Sequence, residues 1–292
     1  MTIEHISCAP GSGSNEDLVA VFETDGLHDL LVIDGATSVA DTDYIDRRQG
    51  DVAWFVQAFA AALKHSIAAG RSQARSVHQA IETVRRAYAD KAAGQAIPLY
   101  ARPLAAMTWI RLRPEREALA LSLYCLGDCK AFALDAQGKV TDLDPYENPF
   151  ETVVQEAVAQ LAAEGVIDPA QRRQRLLPLL RERREAQHGS PSPTVLCLAP
   201  QGEFNAREIA LRLAPDAAVL AMSDGFYRLA DPYGLMPADA LVRRCRAEGL
   251  APLMRELRAF ETARAGAGAG AQAVKNADDA SAIMWTPSKD QA

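Results

Sequence analysis

Cysteine is scarce in this chain: Cys8, Cys125, Cys129, Cys197 and Cys245 are odd in number and form no C-x-x-C pair. That excludes a disulfide framework and a zinc ribbon, and leaves each thiol as a buried or bystander group. Long apolar runs are missing too. None approaches the roughly 18–20 residues of a membrane span. Residues 1–14 carry no basic segment ahead of an apolar core, so neither an anchor nor a secretory signal is expected. The expectation is a cytoplasmic protein without a membrane partner. Basic charge is in deficit, with 31 Lys and Arg against 38 Asp and Glu and a formal net charge of -7. A general nucleic-acid binder carries a basic surface instead, so no nucleic-acid partner is expected.

What is present is ordinary globular material: 292 residues, 49% hydrophobic and 24% charged, ample for a sizeable core. Apolar runs at 18–22 and 30–33, separated by a turn at Gly26, read as a β-hairpin. Apolar residues at helical spacing mark helices over 52–69 and 74–93. Buried strands are expected at 105–112, 119–126 and 131–134, with Gly127-Asp128 in the last turn. Residues 150–165 read as a helix, and Asp168 caps another with Pro169 in its first turn. Pro178 is expected to interrupt or restart that helix. Strands at 195–198 and 219–222, helices at 237–248 and 251–264, a mobile Gly/Ala loop at 265–273 and a strand at 280–285 complete the reading.

Strands come in runs and helices in runs, which favours an antiparallel α+β arrangement over a doubly wound parallel sheet. There is no internal repeat and no domain linker, so 1–292 is read as one domain, with an inserted flap at about 145–193. Arg172, Arg173, Arg175, Arg181, Arg183 and Arg184 crowd that flap. They read as a solvated helix face, or alternatively as a recruiting surface for a phosphorylated protein.

The acids carry the chemistry. Asp34, Asp224 and Asp278 each sit at the edge of an apolar strand, the first two are followed by Gly35 and Gly225, and Glu16-Asp17 opens another strand. One Asp-Gly alone is an ordinary turn. Several acids converging at buried strand ends repel one another, and a shared cation resolves that repulsion. Oxygen-only ligation suits Mg²⁺ or Mn²⁺.

Asn15-Glu16-Asp17, Val32-Ile33-Asp34-Gly35, Leu126-Gly127-Asp128-Cys129-Lys130, Met222-Ser223-Asp224-Gly225 and Asp278-Asp279-Ala280-Ser281 follow one another in the order of the motifs of the PP2C (PPM) phosphatases. The chain resembles that family from Asn15 to Trp285. The resemblance implies an αββα sandwich and a metal-dependent serine/threonine protein phosphatase of bacterial type, with Asp34, Asp224 and Asp278 catalytic. It implies that Asp34 bridges two Mg²⁺ or Mn²⁺ ions, that the Gly35 carbonyl joins one of them, and that Asp224 and Asp278 hold the other. Glu16 and Asp17 would act through waters, and Asp128 would hold a weaker third ion. Asp279 stands where the family often has Asn. Two cations about 4 Å apart would activate a water for in-line attack on phosphorus.

Departures from the pattern accompany the match. Ser12 occupies a position where bacterial relatives often have Arg, and Gly127-Asp128-Cys129-Lys130 replaces G-D-S-R, so Ser12 and Lys130 are the candidate substrate-binding positions. These departures leave open a pseudophosphatase, a binding module that kept the fold. Other phosphatase chemistries fit less well. Val32 replaces the nucleophile of a D-x-D-G-T motif, no cysteine has an Arg six places on, and residues 10–14 lack the G-K-[ST] of a phosphate loop.

Overall fold

The computed structural model describes residues 1–11, 13–166, 168–266 and 277–288. In chain order the elements are β1 (Thr2–Cys8), β2 (Leu18–Thr24), β3 (Leu27–Gly35), α1 (Asp51–Ala68), α2 (Gln73–Ala92), β4 (Leu104–Pro114), β5 (Leu119–Leu126), β6 (Lys130–Leu134), β7 (Val140–Asp142), α3 (Pro149–Ala163), α4 (Pro169–Gly189), β8 (Leu196–Cys197), β9 (Arg207–Leu213), β10 (Ala218–Met222), α5 (Asp224–Tyr227), α6 (Ala238–Glu248), α7 (Leu250–Gly266) and β11 (Ala280–Thr286). Among the described residues the strands form two antiparallel sheets, ordered β1-β11-β10-β6-β7 and β2-β3-β4-β5-β9, with β8 on β4.

The period-2 geometry of a strand explains the layers. On β3, Leu31 and Ile33 face α1 and α2, while Leu30 and Val32 face the other sheet. On β10, Val219 and Ala221 meet that inter-sheet core, while Leu220 and Met222 face α6 and α7. The result is helices, sheet, sheet, helices, the expected α+β sandwich. Central strands are therefore apolar on both faces, as the unbroken runs in the sequence require. The β2–β3 hairpin closes at Asp25 and Gly26, both at positive φ (50° and 77°), the backbone a two-residue turn needs.

Because β3 is apolar on both faces, its alternation alone does not fix its register. Asp29 does. It is fully buried, accepts from Trp109 Nε1 at 2.6 Å and ion-pairs with Arg111 Nε at 2.8 Å. Sliding β3 would strand this charge, at about 3–5 kcal/mol. The same register sets Asp34 opposite Ala106.

Three expectations are corrected. α4 runs unbroken through Pro178, because arginines on both sides of the proline hold the helix against the 37–41 loop. Of the expected loop at 265–273, residues 265 and 266 belong to α7 and the rest lies outside the described residues. The strand at 195–198 shrinks to Leu196–Cys197. β1, β7 and β9 were not anticipated. No helix of the described residues is long and apolar enough to cross a membrane.

Candidate functional site

Both sheets deliver acids to one end of the sandwich. β3 ends in Asp34-Gly35, while β10 runs into Ser223 and Asp224 at the start of α5. The Asp224 amide donates to Asp34 Oδ2 at 3.3 Å, joining the two sheets through the acids themselves. Two glycines make the approach possible. A Cβ on Gly225 would collide with the Asp279 carbonyl oxygen, and one on Gly35 would collide with the Glu16 carbonyl and sit 2.7 Å from Val52 Cγ1. Gly127, at φ 77°, packs directly on Ala106, the partner of Asp34 in β4, and so brings the Asp128 turn to the same place.

Around this centre the expected residues that are described have definite positions. Thr37 Oγ1 donates to Glu16 Oε2 at 2.9 Å, and the Glu16 amide donates to Asp279 Oδ2 at 2.8 Å. Asp128 Oδ2 accepts from Asn148 Nδ2 at 2.7 Å. Asp278 Oδ2 lies 3.4 Å from Arg228 Nη2. Lys130 directs its ammonium to the Tyr146 carbonyl at 2.7 Å and stands over the Tyr227 ring. Ser12 lies outside the described residues.

The electrostatics are those of crowded acids. Burial, then the charges of Asp224, Asp17, Asp128 and Asp278, hold the Asp34 carboxyl well above the usual range. Burial pushes Asp17 up to about 8, opposed by the polar Ser223 and Ser281 nearby and reinforced by Asp224 and Asp279. Desolvation raises Asp224 to about 6, followed by Asp278 and Asp128. Asp224 is exposed at the rim of the group, where the charges of Asp278 and Asp128 hold its carboxyl up.

The donor set fits a hard cation in chemistry. The acids are oxygen-only and mutually repelling, and the buried Asp17 Oδ2 has no hydrogen-bond partner among the described residues. As the side chains stand, no three His, Cys, Asp or Glu groups of the described residues are grouped to hold an ion. The charge is nonetheless assembled at one end of the sandwich, where Asp34, Asp224, Asp17, Asp128 and Asp278 act on one another.

Several residues at the site were missed in the sequence. Arg228 lies one helical turn after Asp224, a spacing of i, i+4 that was the available signal. The arginines of α4 overturn the reading of a solvated face. Arg184 Nη2 donates to the Thr37 carbonyl at 2.9 Å, Arg173 Nη2 to Ser38 at 3.0 Å and Arg181 Nε to Val39 at 2.9 Å. Arg172 is buried and Arg183 donates to Asn148 Oδ1 at 3.0 Å. Only Arg175 of the six fits the expectation, in an exposed pair with Glu164.

A family model described as Protein phosphatase 2C matches residues 7–260. No curated protein matches the sequence. Among solved structures, the chain is similar to the S. agalactiae serine/threonine phosphatase, with TM-score 0.55 and 14% identity over 98% of this chain and 99% of that one. It is also similar to the Mycobacterium tuberculosis serine/threonine phosphatase PstP/Ppp, with TM-score 0.52 and 17% identity over 97% of each chain. The PstP catalytic domain in complex with two manganese ions gives TM-score 0.51 at 17% identity, over 97% of this chain and 96% of that one.

Proposed function

This chain belongs to the protein phosphatase 2C family, and from that premise we propose that it hydrolyses phosphoserine and phosphothreonine in proteins, with Mg²⁺ or Mn²⁺ as cofactor. The observation that carries the reading is the convergence of Asp34 from one sheet with Asp224 and Asp278 from the other, joined by the 3.3 Å contact between Asp34 and the Asp224 amide. Asp34 and the Gly35 carbonyl, with Asp224 and Asp278, would hold two cations; Glu16 and Asp17 would act through waters, and Asp128 would hold a weaker third. Bound there, the cations would supply Lewis acidity toward water and toward the phosphoryl oxygens.

The chain's own part is position and charge. The two sheets bring the acids to one end of the sandwich, so a ligand bound there meets charge from both. Gly35 and Gly225 keep side chains out of the places where backbone must approach backbone. The burial of all five cysteines except Cys8 fits a reaction without a thiol nucleophile. The work would be cytoplasmic and its partner a phosphorylated protein. Arg173, Arg181 and Arg184 are engaged on the 37–41 loop, so recruitment by the flap would fall to its remaining exposed charges.

The altered Gly-Asp-Cys-Lys motif and the Arg228–Asp278 pair favour a second reading, a pseudophosphatase in which the guanidinium substitutes for a cation. Calorimetric titration with Mn²⁺, combined with turnover of a chromogenic phosphate ester, separates the two. Saturable binding with metal-dependent turnover supports the enzyme, and absent turnover with weakened or absent binding supports the module. Turnover surviving exhaustive EDTA treatment would sink the metal mechanism altogether.

A further inference from the structure

Adjacent arginines at the C-terminal half of α4 reach two different acids by matching routes. Arg184 donates to the Thr37 carbonyl at 2.9 Å, and the Thr37 hydroxyl donates to Glu16 at 2.9 Å. Arg183 donates to Asn148 Oδ1 at 3.0 Å, and Asn148 Nδ2 donates to Asp128 Oδ2 at 2.7 Å. Neighbouring residues on a helix diverge by about 100°, which lets one turn of α4 address both flanks of the acid group. Asn148 is also the N-cap of α3, accepting from the Phe150 amide at 3.2 Å. The second route therefore ties the start of one flap helix to the end of the other.

We infer that Arg184 and Arg183 are positioning residues for the cation site, setting Glu16 through Thr37 and Asp128 through Asn148. The inference rests on the reading of these acids as cation ligands and assigns α4 a role in their geometry.

Three details distinguish this from incidental packing. Arg184, Arg173 and Arg181 hold three consecutive carbonyls, Thr37, Ser38 and Val39, directly beyond Asp34-Gly35. Arg181 adds an ion pair with Asp41 at 2.7 Å, so the loop is gripped along its length. The intermediaries, Thr37 and Asn148, are neutral groups that each donate to an acid. Burial works against both guanidinium charges; the largest favourable charge is Glu16 for Arg184 and Asp128, ahead of Tyr146 and Glu151, for Arg183. Arginine's fixed fork also makes it suited to hold one carbonyl in one direction. Residues standing behind a metal ligand set its orientation, and their loss lowers metal affinity about 10–100-fold.

The test uses the full chain and Mn²⁺ alone, read by calorimetry, with amide exchange followed in EDTA. Arg184→Ala should raise the Mn²⁺ Kd about 10-fold and speed exchange at residues 36–41. Arg183→Ala should speed exchange in the turn around Asp128. Thr37→Val keeps the carbonyl that Arg184 grips but removes the hydroxyl that holds Glu16. It should weaken Mn²⁺ to a similar degree without faster exchange at 36–41. Arg184→Ala added to Thr37→Val should then change Kd by less than about 3-fold, since both act on one route. Arg175→Ala, at an exposed surface pair, is the control and should match wild type.

If Arg184→Ala and Thr37→Val both bind Mn²⁺ as the control does, the inference is overturned. If the wild type binds Mn²⁺ but hydrolyses no ester, the phosphatase reading falls and this one stands on its affinities. If the wild type binds none, there is no cation site to position and the inference is overturned; unchanged exchange at 36–41 in Arg184→Ala overturns it as well. Should Arg184→Ala fail to fold by thermal melt, Arg184→Lys retains the charge without the fork and is expected to give an intermediate loss.

Discussion

Arg228 reaches Asp278 across 3.4 Å, which puts a guanidinium inside the acid group opened by Asp224. Both side chains are mostly sheltered, and Arg228 is braced by the Tyr233 hydroxyl at 3.2 Å. Replacing it leaves Asp278 and Asp224 to repel each other without relief. Arg228→Gln should therefore destabilise the metal-free chain by about 1–3 kcal/mol. It should also tighten Mn²⁺ binding, since a resident cation no longer competes. Thermal melts in EDTA and a Mn²⁺ titration check the two halves, and unchanged values in both would mean the pair is silent.

The raised carboxyls give a pH dependence of definite sign. Asp224 at about 6 and Asp17 at about 8 lie above their ordinary value of 3.8. A folded acid with a raised pKa stabilises below the unfolded value, and that contribution is lost as pH climbs through the folded one. In EDTA the chain should lose stability from pH about 4 to about 8, relative to Asp17→Asn, which cannot ionise at that position. The difference between the two melting profiles is the measurement, and parallel profiles would contradict the assignment. Saturating Mn²⁺ should flatten the wild-type slope.

Asp278 and Asp279 should separate by function. Asp279 holds the Glu16 amide through Oδ2, a contact that an Asn oxygen reproduces. Asp279→Asn should stay near wild type in stability and turnover, while Asp278→Ala should abolish most turnover. Asp34→Ala should abolish it completely. A larger loss from Asp279→Asn than from Asp278→Ala would reverse the roles.

Gly225→Ala should be severe and Gly13→Ala mild. The first would drive a methyl into the Asp279 carbonyl, whereas the second meets nothing within 4 Å. Backbone on backbone does not give way as a flexible side chain does, so the expected loss at Gly225 is at least about 3 kcal/mol. Denaturant midpoints for the two variants suffice to compare them.

Much of this architecture was legible because its signals were local. β3, β4, β5, β10 and β11 are apolar on both faces, and their runs stand out in the sequence. Asp34 and Asp224 could be found because each ends such a run. β9 escapes because among the described residues it pairs with β5 alone and alternates, leaving Ile209, Leu211 and Leu213 separated by polar or small residues. The α4 arginines escaped for a different reason. Their acceptors are main-chain carbonyls far away in the chain, and a carbonyl leaves no mark in composition. Pro178 misled for the same reason, since contacts on both sides outweigh one lost amide. Arg228 had a signal in its i, i+4 spacing from Asp224, but α5 is only four residues long and was not read as a helix.

The joining of Asp34 to Asp224 across the sandwich has a consequence for how much of the protein exists. A ligand held by acids from both sheets binds only when the sheets are docked, so it acts as a reversible cross-link between them. Binding to the native form alone adds stability that grows with the logarithm of ligand concentration, about 2.7 kcal/mol at a hundredfold excess over Kd. Folded abundance would then track divalent-ion supply. A chain made when those ions are scarce would be short of stability as well as of chemistry, and exposed to proteolysis for as long as the scarcity lasts.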